Sequence, residues 1–77
     1  MPRYFFHLNR NEEARVDIDG LTFIDHQGAW EEATLACGEM IRTIDGQLQP
    51  GEGWQMEVTD EVGKLIYRLR FIAESFE

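Results

Sequence analysis

One cysteine, two prolines, two histidines and seven basic residues are all that this 77-residue chain holds of those types. With Cys37 alone no internal disulfide can form, and Cys37, His7 and His26 have no metal-ligand spacing such as a CxxC or HxxxH pair. No metal and no cofactor is expected. Seven basic against fifteen acidic residues give a net charge of −8. Binding a phosphate backbone through counterion release needs clustered Lys and Arg, so no nucleic acid is expected as a partner. The acidic surplus reads as a solvated surface. No apolar run approaches the about 20 residues of a membrane span, and the opening Met-Pro-Arg-Tyr-Phe-Phe-His-Leu lacks the apolar core of a signal peptide. The expectation is a cytoplasmic chain with a reduced thiol and no membrane partner.

The length allows one small domain over 1–77. Such a chain buries only about 60–65% of the surface it exposes when unfolded. Small domains of this kind gain help from disulfides, a metal or a second subunit, and only self-association is open to this one.

One segment has a sustained helical period. From Asp25 to Ile44, residues Trp30, Ala33, Cys37, Met40, Ile41 and Ile44 recur at three- and four-residue steps and fall on one stripe. Asp25 is a good N-cap, Asp45-Gly46 supplies a helix stop, and Pro50 lies in the loop from Gln47 to Gly53. Leu35 points away from the stripe, as one exposed apolar residue or as part of a contact surface.

The rest reads as strands. Arg3 to Leu8 alternates, with Tyr4, Phe6 and Leu8 opposite Arg3, Phe5 and His7. Polar turn residues 9–13 lead into a second strand from Ala14, with Val16 and Ile18 on one face, ending at Asp19-Gly20. Leu21, Phe23 and Ile24 return the chain to the core. Trp54, Met56 and Val58 alternate in a third strand, and Lys64 to Phe71 is the fourth. A four-residue loop, Asp60-Glu61-Val62-Gly63, pairs Val58 with Leu65, Met56 with Tyr67 and Trp54 with Leu69, all on one face. A three-residue loop would move Arg68 and Arg70 onto the Trp54 face and is excluded on that ground. Residues 72–77 form a tail anchored by Phe76.

The order ββαββ predicts an α+β fold: a four-stranded antiparallel sheet with one helix packed on one face. The aromatic-rich first and last strands are expected side by side in the middle, with the second and third at the edges.

The outer sheet face should carry Arg3, Phe5 and His7 beside Ile66, Arg68 and Arg70, flanked by Asp17, Gln55 and Glu57. It has three readings. His7 and the arginines could bind a small anion or metabolite, with His7 moving protons. Phe5 and Ile66 could bury against a protein partner with Arg as polar anchor. The plainest reading is a solvated face laced with weak cross-strand ion pairs. Catalysis needs a concave pocket with convergent groups, and no such set is legible, so no enzyme is expected. Cys37 on the apolar stripe reads as a small buried hydrophobe. Gly51-Glu52-Gly53 lacks the Lys-Ser/Thr and following helix of a phosphate loop. Thr59-Asp60-Glu61 is a turn with too few spaced oxygens for calcium.

Three motifs carry a resemblance: the opening Pro2-Arg3-Tyr4-Phe5-Phe6-His7, the helix start Asp25-x-x-x-Ala29, and Glu57-Val58-Thr59-Asp60-Glu61-x-Gly63. Together they resemble a family of short proteins, common in rhizobia and related α-proteobacteria, classed as a domain of unknown function. The resemblance implies a bacterial cytoplasmic protein that usually stands alone, and brings no activity or catalytic residue with it. The family's first turn often carries Asp-Gly, where this chain has Asn9-Arg10-Asn11.

The expectation is therefore a non-enzymatic protein-interaction module that self-associates or binds an unidentified protein. Its candidate surfaces are the outer face around Phe5 and Ile66, an exposed sheet edge, and Leu35 on the helix. The alternative is a small anion or metabolite site built from His7, Arg68 and Arg70.

Overall fold

The computed structural model describes residues 2–10, 13–44 and 53–76, the side chains of Glu13, Thr43 and Ile44 excepted. Five strands and one helix follow in the order β1 (Arg3–Arg10), β2 (Glu13–Arg15), β3 (Leu21–Thr22), α1 (His26–Ile44), β4 (Gly53–Thr59) and β5 (Leu65–Ile72). All strand pairs are antiparallel, and the helix packs on one face, so the fold is α+β.

The helix begins where its cap requires. Asp25 Oδ1 accepts the amide of Gly28 at 3.1 Å, satisfying one free donor of the first turn. Its buried side is made of small residues, Ala29, Ala33 and Cys37, at four-residue steps. Small side chains let the helix axis approach the sheet, where Tyr4, Met56 and Val58 complete the fully buried set. Gly28 serves the same approach, since a Cβ there would stand 3.1 Å from Phe23. Trp30 and Ile41 flank the stripe and remain partly exposed. The helix stop at Asp45-Gly46 and Pro50, the loop from residue 47 to 52, and Asn11-Glu12 lie outside the described residues.

The sheet order corrects the sequence expectation. It is β2-β1-β4-β5, with β3 also on β1. β4, not β5, lies beside β1, and Met56 and Val58 make β4 the most buried strand. Chain direction explains this. β3 ends beside Arg3, α1 carries the chain back to the Arg10 end, and β4 starts there, opposite Arg10. β4 therefore runs antiparallel to β1 while β5 runs parallel to it, so an all-antiparallel sheet can join β1 only to β4.

The second strand is also not continuous. β2 pairs with residues 8–10 of β1 and β3 with residues 3–4, on the same edge. Between them 16–20 bulge outward, leaving Val16 and Ile18 exposed rather than on a sheet face. The break is built by Asp17, whose carboxylate replaces a strand as acceptor for the amide of Phe6 at 3.1 Å. It also accepts the amides of Asp19 and Gly20, each at 3.1 Å. Gly20 then turns the chain at φ 70°, with no room for a Cβ because Tyr4 O would be 2.8 Å away. Phe23 packs against the core, whereas Ile24 is exposed.

The β4–β5 hairpin keeps Trp54, Met56, Val58, Tyr67 and Leu69 on one face in a different register, whereas Leu65 pairs with Thr59 and leaves that face. Val58 pairs with Tyr67, Met56 with Leu69 and Trp54 with Phe71, two residues from the expected partners. The turn closes tightly: Asp60 N donates to Lys64 O at 3.0 Å and Gly63 sits at φ 84°. That spacing alone would flip the faces, and a bulge between Val58/Thr59 and Leu65/Tyr67 flips them back. Ile66 is the extra residue. The tail is not anchored by Phe76, which is 90% exposed.

Candidate functional site

The outer face of the sheet is assembled from Phe5, His7 and Asn9 of β1, Gln55, Glu57 and Thr59 of β4, and Arg68 and Arg70 of β5. The registers set His7 opposite Glu57 and Glu57 opposite Arg68, with Asn9, Gln55 and Arg70 in the next row. Ile66 is not part of it: the bulge turns this side chain to pack against the core, so Phe5 and Ile66 form no joint apolar patch. Phe5 is itself sheltered, stacked on His7 at 6.5 Å and 9° and close against Gly20. Leu35 is exposed on the side of α1 away from the sheet.

Each polar group on this face has a partner within the fold. His7 Nδ1 accepts the Asp17 amide at 3.1 Å, so the proton of the neutral ring sits on Nε2, which donates to Thr59 Oγ1 at 3.0 Å. In that tautomer His7 has no free base to offer Thr59. Arg68 directs Nε and Nη2 to Glu57 Oε2, at 3.2 and 2.8 Å, and Arg70 Nε donates to Gln55 Oε1 at 2.8 Å. Glu57 stands between His7 and Arg68, so an anion drawn to those two would meet a carboxylate. A depression of about 410 Å³ beside Asn9, Gln55 and Arg70 is open and shallow.

Asp17 holds the adjoining loop. Burial acts to raise its pKa, but amide hydrogen bonds from Gly20, Phe6 and Asp19, helped by nearby His7, outweigh it and leave the carboxyl below its ordinary value. Burial pushes the Cys37 thiol up, and its Sγ donates to Met56 Sδ at 3.8 Å inside the core. Burial thus favours the protonated thiol over the nucleophilic thiolate. Among the described residues, no three His, Cys, Asp or Glu side chains are grouped to hold a metal. No helix of the described residues is long and apolar enough to cross a membrane.

A second surface lies along β5. It is the outermost strand, and among the described residues no strand pairs with its outer side. Trp30 of α1 reaches over it, 5.0 Å from Tyr67. Ile41, eleven residues and about three turns on, falls on the same flank of the helix. Trp30 is 37% and Ile41 54% exposed on the helix side, whereas Ile72, 63% exposed, falls on the outer sheet face beside Arg70, so exposed apolar groups stand on both faces of this strand.

A family model described as a domain of unknown function (DUF6894) matches residues 3–72. The chain belongs to this family. No curated protein and no solved structure matches it. The match runs from the first residue of β1 to the last of β5, so the DUF6894 domain includes both the Asp17 loop and the open strand.

Sequence reasoning missed Thr59 and the inward role of Asp17. The pattern Asp17-Ile18-Asp19-Gly20 carried the second of these, because an Asp two and three residues before free amides forms a side-chain turn. It also missed Trp30 and Ile41 as a flank, having grouped both with the buried stripe.

Proposed function

We propose that this DUF6894 chain is a non-enzymatic protein-interaction module of the bacterial cytoplasm, and that it receives its partner along the outer edge of β5. The observation that carries this is the eight-residue strand whose outer edge no described strand pairs with, with Trp30 and Ile41 exposed on its helix side and Ile72 exposed on its other face. An extended segment could add there as a further strand, with backbone bonds giving affinity and the flanking apolar groups giving selectivity. The anion or metabolite alternative has less support, since His7, Arg68 and Arg70 already have partners and Glu57 lies among them. The cytoplasmic setting rests on the lone free thiol of Cys37, and the bacterial one on the resemblance of the three motifs.

The test is a pair of baits in one bacterial lysate, wild type and Ile72→Lys. Ile72 is exposed, so the charge disturbs the edge and not the core. Proteins held by the wild type and lost by the variant are expected. Identical sets on both baits would remove β5 from the proposal.

A further inference from the structure

We propose that one occupant of the β5 edge is a second copy of this chain, β5 pairing antiparallel with β5 across a two-fold axis. This rests on the interaction-module assignment above and names its partner. An antiparallel pair of identical strands is self-complementary by construction: each copy offers the same donors and acceptors to the other, which is what a two-fold interface requires.

Four features favour a second copy. The two edges of the sheet are treated differently. The β1 edge is blocked by two short strands and the outward Asp17 loop, devices that prevent edge-to-edge pairing. β5 has eight residues with no proline and no lysine, and among the described residues no strand pairs with its outer side.

Charge points the same way. On a chain of net charge −8, no acidic residue falls between Glu61 and Glu74, so two copies meeting at β5 bring together their least acidic stretch. Its arginines do not oppose the approach, because Arg68 and Arg70 reach inward across the sheet to Glu57 and Gln55.

Size is adequate. Eight strand residues are about 27 Å long, and the molecule measures 21 and 18 Å along its shorter axes. Such a face offers about 500 Å² per copy, or about 1,000 Å² in total, the lower bound of a specific interface. Finally, the interface would cover apolar groups that the single chain leaves exposed: Trp30 and Ile41 on the helix side, and Leu65 and Ile72 at the two ends of β5 on the outer face. Among the described residues the buried hydrophobics of one copy are Tyr4, Ala29, Ala33, Cys37, Met56 and Val58, a small core for a domain of this length.

The experiment is solution mass by light scattering behind a sizing column, over a hundredfold range of concentration. It uses the wild type, Ile41→Glu, Ile72→Lys and Leu35→Glu, all at exposed positions, with circular dichroism as the folding control. The wild type and Leu35→Glu should rise from 9.0 kDa towards twice that mass. Ile41→Glu and Ile72→Lys should need at least tenfold higher concentration to do so. A wild type that stays at monomer mass throughout overturns the second-copy inference, while the bait comparison decides separately whether β5 receives other proteins. A dimer that both β5-edge variants leave unchanged overturns the assigned surface.

Discussion

Asp17 shows how one side chain redirects a whole edge. Its carboxylate accepts three backbone amides, from Phe6, Asp19 and Gly20, and holds 16–20 out of the sheet. Removing it leaves those amides short of a charged acceptor, so Asp17→Ala should cost about 2 kcal/mol in urea unfolding at neutral pH. The pH dependence has a definite sign. The folded carboxyl titrates below its ordinary value, so its contribution is complete above the unfolded pKa and is lost as pH falls through the folded one. The gap between wild type and Asp17→Ala should therefore close in acid. A gap equally wide at pH 2 and pH 7 would show that the charge of Asp17 has no part in holding the loop.

The helix and the strands differ in what their sequences specify. In α1 every residue is tied to its own neighbours, so a 3.6-residue period fixes both the element and its buried side. Asp25, Ala33 and Cys37 were legible for that reason. Trp30 and Ile41 were misjudged because a stripe has flanks, and its width depends on what it packs against. In β4 and β5 a period of two fixes the face and leaves the register free to slip by two residues. The bulge at Ile66 depends on the turn closing at Asp60–Lys64, which no alternation encodes, and with it went the expected Phe5–Ile66 patch. The strand order followed from chain direction, whereas aromatic content pointed to the wrong neighbour for β1.

The same helix supplies a test of its packing. Among the described residues nothing lies within 4 Å of a Cβ at Gly38, whereas a Cβ at Gly28 would be 3.1 Å from Phe23. Gly38→Ala should gain about 0.8 kcal/mol from helix propensity alone. Gly28→Ala must displace Phe23 and should gain less or lose, as thermal or urea unfolding would show. Equal gains at both positions would contradict the close approach of the helix start to Phe23.

As a whole the molecule is extended for its length. Its radius of gyration is 13.5 Å, against about 11.5 Å for a compact domain of this size. A thin core, a blocked edge and, among the described residues, an unpaired edge beside exposed apolar groups are the features from which the second-copy proposal is drawn. The most direct measurement is backbone amide hydrogen exchange, residue by residue, on the purified wild type at low and high concentration. The outward amides of β5 should exchange more slowly at high concentration, while those of β2 and β3 keep the same rates. Rates along β5 that do not change with concentration, or slowing confined to the β2–β3 edge, would contradict the assignment of β5 as the docking surface for a second copy.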